Sequence, residues 1–134
     1  MPQSRIIMTE KSKHDVSDVR AGNLLTIMDD RGSVVIAEQG KHIDFAPERL
    51  FFVRPIRAGQ ERGGHAHIVC RQGLVCITGR CRVHVEDGLA KRSYTMKGPD
   101  STLSVPPGLW SVQTYETHGT SLLVLCDRPY DEKD

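Results

Sequence analysis

Long apolar runs are missing from this 134-residue chain. The longest, residues 50–53 and 122–126, fall far short of the roughly 20 residues that a membrane-crossing helix needs. The polar start, MPQSRIIMTEKSKHDVSD, has no apolar stretch of the kind a secretory signal carries, so a soluble cytoplasmic protein is expected. An excess of one charge is missing too. Eighteen Lys and Arg face 17 Asp and Glu, a formal net charge of +1, which argues against a general nucleic-acid or anionic-membrane binder. The four cysteines form no C-x-x-C pair, which excludes a zinc ribbon and a thioredoxin-like motif. Cys76, Cys81 and Cys126 lie within apolar stretches, so all four thiols, Cys70 included, read as small structural hydrophobes. Helical periodicity, internal repeats and low-complexity tracts are likewise absent.

What remains is a succession of short strand candidates separated by turn residues. The strands are expected over 24–28, 33–38, 50–57, 67–77, 81–86, 91–96, 102–105, 110–116 and 121–127. Turns are expected at 30–32, 59–64, 78–79, 87–88, 98–100, 106–108 and 118–119, with Asp87-Gly88 the clearest hairpin signal. One helical turn is allowed over 45–50. Turns spaced by about 8–12 residues predict an all-β sandwich or barrel. The chain is long enough for one domain with a single buried core. Residues 1–22 read as a polar N-terminal arm, and residues 23–134 as the domain.

Between residues 59 and 79 the chain reads GQERGGHAHIVCRQGLVCITG. Gly59 is followed after five residues by His65-Ala66-His67, after four more by Gln72, and after six more by Gly79. In an extended segment His65 and His67 point to the same side and can serve one site. This spacing resembles the first motif of the cupin superfamily, G-x5-H-x-H-x(3,4)-E-x6-G, with Gln72 at the glutamate position. The second cupin motif has a partial counterpart in Gly98 and Pro106-Pro107-Gly108-Leu109-Trp110-Ser111, where Ser111 occupies the histidine position. The resemblance implies a double-stranded β-helix, the jelly-roll barrel. An amide and a hydroxyl at two ligand positions leave two good donors for a first-row metal, so neither metal nor other cofactor is expected. Two imidazoles would then be available for proton transfer near neutral pH.

Arg62-Gly63-Gly64-His65-Ala66-His67, together with the segments 30–33, 74–79, 105–110, 123–125 and 130–132, is similar to the sugar 3,4-ketoisomerases, the FdtA-type or WxcM-like cupins. The similarity runs from about residue 24 to residue 134. It implies a metal-free isomerase of nucleotide-sugar and surface-glycan (O-antigen) biosynthesis. That enzyme moves the carbonyl of a dTDP-4-keto-6-deoxyhexose from C4 to C3, working as a homodimer with exchanged N-terminal strands. Three departures stand out: Phe51 and Phe52 where tyrosines are usual, Ser111 where a histidine is common, and an end at Asp134, for which an effect on packing alone is expected. Two other readings stay open, a C3 or C5 epimerase of a similar sugar and a sugar-binding cupin without catalysis.

By this resemblance His67 is the expected base and His65 its partner. Arg62, on the Gly-rich segment, suits the enediolate oxygen or the diphosphate, which a planar guanidinium fork can grip. Gln72 is placed to bond a sugar hydroxyl or to hold a histidine tautomer. Arg54, Arg71 and Arg82 are candidate diphosphate ligands. Phe51 and Phe52 are adjacent, so one, taken as Phe52, is expected to line the site. Trp110, the only tryptophan, is a candidate for stacking on thymine or sugar, with core packing as its alternative. Tyr115 could supply a hydroxyl if its strand faces inward. His14, His42, His84 and His118 read as surface residues.

Overall fold

Alternation of apolar and polar residues with period two builds most of this molecule. The computed structural model describes residues 14–134. A short 3-10 turn, Val16–Asp18, precedes β1 (Arg20–Asn23), β2 (Leu25–Asp29), β3 (Gly32–Ile36), β4 (Arg49–Val53), β5 (Gln60–Ala66) and β6 (Gln72–Thr78). Then come β7 (Arg80–Glu86), β8 (Lys91–Lys97), β9 (Ser101–Val105), β10 (Trp110–Tyr115) and β11 (Ser121–Cys126). Every strand pairing is antiparallel. One sheet has the order β1-β9-β6-β11-β4, a second the order β5-β10-β7-β8, and β2-β3 form a separate hairpin. This is the all-β jelly roll that the motifs imply, and no helix of the described residues is long and apolar enough to cross a membrane.

The core lies between the two larger sheets. Cys81, Val83 and Val85 of β7 are fully buried, whereas Arg82 between them is exposed. Opposite them lie Leu74 and Cys76 of β6, Leu103 and Val105 of β9, and Leu122, Val124 and Cys126 of β11. Burying a side chain such as Leu122 is worth roughly 1.5–3 kcal/mol, and this layer supplies the main stabilisation. All four cysteines are free and buried. Burial pushes the thiols of Cys70 and Cys81 up to about 12 and that of Cys76 to about 11, as expected of structural thiols.

The structure differs from the sequence reading in four places. The Gly-rich stretch 59–64 is largely strand, because β5 begins at Gln60. The expected strand 67–77 is instead interrupted by residues 67–71 before β6 begins. No helical turn forms at 45–50: Pro47 disfavours a helical Ala46, and the Glu48 N–H donates to the Cys126 carbonyl at 2.8 Å, drawing the chain into β4. Finally, the expected polar arm joins the fold well before residue 23. Val16 and Val19 pack in the core, and β1 pairs with β9. Two valines among polar residues give no periodic signal, which is why the sequence hides this. Residues 1–13 of the expected arm lie outside the described residues.

Asp87 ties this N-terminal turn to the β7–β8 hairpin. Its Oδ2 accepts from the Val16 N–H at 3.0 Å, and its Oδ1 accepts from the N–H groups of Leu89 and Ala90 at 2.8 and 2.7 Å. Burial alone would raise its pKa, but the Ala90, Leu89 and Val16 amides outweigh it and hold the carboxyl below its ordinary 3.8. Asp87→Ala is expected to lower unfolding free energy by about 2–3 kcal/mol in urea titrations at neutral pH. Because the native pKa is depressed, this contribution is complete above the ordinary aspartate range. It fades as pH falls through the native value, so the wild-type advantage narrows in acid.

Candidate active site

Two glycines decide which side chains share the inner face of β5. Along the β5–β10 ladder His65 lies opposite Ser111, but Val112 lies opposite Gly63, so Gly64 is an extra residue. Gly63 and Gly64 both adopt left-handed backbone, with φ of 94° and 81°. Arg62 and His65 are three residues apart and would face opposite sides of a regular strand. The bulge cancels that change of face, setting Arg62 opposite Gln113 and His65 opposite Ser111. A Cβ on Gly63 would lie 2.9 Å from the Ser111 carbonyl oxygen and 3.0 Å from Gln113 Oε1.

These residues open onto a cleft of about 480 Å³, bordered by Arg62, His65, Gln72, Ser111, Gln113 and Arg54, with Leu74, Val124, Phe51, Phe52 and Val53 as its apolar wall. The size suits a small-molecule site. Two arginines and no carboxylate border it, so an anionic ligand is favoured electrostatically. Both phenylalanines reach the cleft, rather than Phe52 alone, because β4 is an edge strand. The Arg49 guanidinium lies 5.8 Å from the Phe51 ring centre and 5.6 Å from that of Tyr130. This cation–π bridge ties the cleft wall to the C-terminal segment.

His67 follows the end of β5 and sits behind His65, off the cleft lining. The two ring centres are 5.0 Å apart, edge to face. His67 Nδ1 is 3.0 Å from Asp134 Oδ2, and its Nε2 is buried with no hydrogen-bond partner among the described residues. Burial lowers the His67 pKa below 6.5, reinforced by His65 and Arg49 and opposed by Asp134, so the ring is neutral at pH 7. Burial pulls the Asp134 pKa upward, but the Val69 N–H and His67 outweigh it and keep the carboxyl ionised. An ionised acceptor at Nδ1 puts the proton there and leaves the lone pair on Nε2. The Asp134 side chain thus fixes one ring nitrogen of His67. It lies 67 residues from His67, beyond the reach of any local motif.

Besides His67, four sequence candidates do not border the cleft: Arg82, Trp110, Arg71 and Tyr115. Arg82 alternates with buried Cys81 and Val83, so it points outward, where its Nη2 lies 3.0 Å from Glu116 Oε2. Trp110 alternates with Ser111 and is buried beside Ala66 and Val112 on the outer face of the sheet, which leaves core packing as its role. Arg71 approaches Asp44 at 4.0 Å and does not border the cleft. Tyr115 does face inward, but it is completely buried below the cleft residues and its hydroxyl has no partner among the described residues. Gln113, unremarked in the sequence, borders the cleft, and its Nε2 donates to Ser111 Oγ at 3.4 Å. Its parity with Ser111 along β10 was the signal available.

The cupin metal positions hold weak donors, a neutral amide at Gln72 and a hydroxyl at Ser111. A different triad, His67, Cys70 and Asp134, has its ligand atoms within 4.8 Å of one another. Its His67 and Asp134 atoms already bond each other, and burial pushes the Cys70 thiol up to about 12.

A family model described as WxcM-like, C-terminal (FdtA) matches residues 17–134. The chain is 36% identical over 116 residues to the TDP-4-oxo-6-deoxy-alpha-D-glucose-3,4-oxoisomerase of Aneurinibacillus thermoaerophilus, covering 84% of this chain and 81% of that one. It superimposes with a TM-score of 0.82 on QdtA, a sugar 3,4-ketoisomerase from Thermoanaerobacterium thermosaccharolyticum solved with TDP, at 25% identity over 89% and 87% of the two chains. The WlaRB TDP-quinovose 3,4-ketoisomerase from Campylobacter jejuni gives 0.79 at 28% identity, over 87% and 90%.

Gly63→Ala tests the bulge. Left-handed backbone and backbone crowding together should cost about 1–3 kcal/mol of stability, read from the shift of the urea midpoint at constant slope. An unchanged midpoint would mean that β5 pairs with β10 without the extra residue.

Proposed function

The chain belongs to the WxcM-like family that FdtA represents, and on that premise we propose that it is a metal-independent 3,4-ketoisomerase of a dTDP-linked 4-keto-6-deoxyhexose. The observation that carries this reading is the pair of imidazoles, 5.0 Å apart, beside a cleft bordered by arginines and amides. Moving a carbonyl from C4 to C3 requires a base for the C3 proton, donors for the oxygen that gains charge, and an acid to protonate C4. Because His65 borders the cleft while His67 Nε2 is buried off its lining, the two expected roles are exchanged and His65 takes the C3 proton. The C–H pair forms the C3=C4 bond and the C4 carbonyl oxygen becomes the enediolate oxygen. That oxygen then takes up a proton; the C3 hydroxyl loses its own as the C3 carbonyl forms, and C4 receives a proton. His65 returns a proton to C4, with His67 behind it as its partner.

Positioned acid–base groups supply about 10²–10⁴-fold. Fixed donors at the enediolate oxygen add more, a role assigned to Arg62 with Gln72 or Gln113. Arg54 faces the diphosphate end. Phe52 and Phe51 offer apolar surface to the sugar or base. Metal independence rests on the donor set, in which Gln72 and Ser111 replace the stronger ligands of the cupin motif. An epimerase pairs a histidine with a tyrosine, and the inward-facing Tyr115 is sealed in the core.

A second copy of the chain is part of the proposal. On the β2–β3 hairpin Leu25 lies opposite Ile36 and Ile27 opposite Val34, so all four share one face. Leu25, Ile27 and Val34 are 49%, 52% and 61% exposed. An isolated two-stranded hairpin with an open apolar face is marginal in water, and burial against a partner subunit would stabilise it.

Incubation with dTDP-4-keto-6-deoxyglucose in D₂O should give a product carrying its carbonyl at C3 and deuterium at C4, after rigorous chelation as well as before. Label at C3 or C5 without carbonyl migration would indicate epimerisation, and no label would indicate a binding protein. His65→Asn should lower turnover by at least about 100-fold; full turnover would remove the base assignment. In sedimentation the wild type should run as a dimer, and Ile27→Lys with Val34→Lys should shift it toward monomer.

A further inference from the structure

Asp134 lies at the far end of a short chain of contacts that begins at the cleft. The carboxylate is nearly enclosed, with its side chain 6% exposed, and both oxygens are engaged. Oδ1 accepts from the Val69 N–H at 2.7 Å, and Oδ2 faces His67 Nδ1 at 3.0 Å. The Asp134 N–H donates to the Asp131 carbonyl at 3.1 Å, closing a turn that aims the carboxylate inward. On the other side of the ring, the His67 carbonyl accepts from the Gly108 N–H at 2.7 Å, anchoring the backbone that carries it. The imidazole is thereby held at one nitrogen while the other is buried with no partner among the described residues.

We propose that Asp134 is a positioning residue that holds His67 in the Nδ1–H tautomer, with the lone pair on Nε2, and through that ring supports His65 at the edge of the cleft. Its role in turnover rests on the ketoisomerase reading; its hold on the tautomer does not. The physical reason is the one-way nature of the contact. An ionised carboxylate only accepts, so the ring must donate from Nδ1. Asp134 also acts on basicity. His67 is faced by His65 from β5, Arg49 from β4, Cys70 from the following loop and Asp134 from the C-terminal segment. Of the residues whose charge acts on the ring, His65 and Arg49 disfavour its protonation, as burial does, and Asp134 favours it. Asp134 therefore makes Nε2 a stronger base than its buried setting alone would allow.

Asp134→Asn separates these effects from simple packing. With the carbonyl of the substituted side chain kept on the Val69 N–H, the amide nitrogen would face Nδ1 as a donor and drive the ring proton to Nε2. Ring ¹⁵N spectra of His67 should therefore report the Nδ1–H form in wild type and the Nε2–H form in Asp134→Asn, with the His67 midpoint moved to lower pH. Turnover should fall roughly 100-fold with KM unchanged. Asp134→Glu, which keeps an acceptor, should recover part of the loss, and Asp134→Ala monitored by thermal melting controls for folding. Unchanged ring shifts and midpoint in Asp134→Asn would overturn the proposal. An inactive wild type would sink the ketoisomerase reading alone, and the ring spectra would still decide the role of Asp134.

Discussion

The constraint on which the site depends is one extra residue in β5. A strand offers alternate side chains to each face, so a guanidinium and an imidazole three positions apart cannot share a cavity unless the alternation is broken. Gly63 and Gly64 break it with two left-handed residues in succession, a conformation that other residues adopt only with strain. The effect is local in the chain and wide in consequence. It sets Arg62 beside Gln113 and His65 beside Ser111, and it keeps β5 paired with β10 on both sides of the irregularity.

That arrangement divides the space between the sheets into two regions. Around β7, β9 and β11 the inward positions are Val, Leu and Cys, and they close into a dry core. Around β5 and β10 the inward positions become Arg62, His65, Ser111 and Gln113, which cannot be buried without partners, and the space stays open as a cleft. Tyr115 marks the border. It has the parity of the cleft residues, but it sits far enough along β10 to be covered by the core. The jelly roll therefore needs no separate device to make a pocket; a change in the chemistry of inward residues along two paired strands is sufficient.

Much of this was legible in the sequence. Strand parity and turn chemistry, which are local rules, point to an all-β domain, and the spacing of His65, His67 and Gln72 around flanking glycines implies the jelly roll by its resemblance to the cupin motif. Failures came where parity needed a register that the sequence does not display. Arg82 and Trp110 were plausible by residue type, yet each alternates with a neighbour committed to the inner face, and so each points away. The glycines of 59–64 suggested a turn because glycine usually ends a strand; here they bend one that continues. Asp134 and Arg49 were invisible for a different reason. Their partners, His67 and Cys126, lie 67 and 77 residues away, and only the assembled sheets bring them close.

The burial of His67 has a consequence for chemistry that an exposed histidine would not share. Enclosure lowers the ring's affinity for a proton, which keeps it neutral and ready at pH 7 but also makes it a weaker base. A carboxylate at Nδ1 offsets part of that weakening, since it stabilises the imidazolium formed once a proton has been taken. The same enclosure strengthens the carboxylate–imidazolium attraction, because fewer waters screen it. Burial thus opposes protonation by desolvating the ring, and in the same stroke magnifies the contact that favours it.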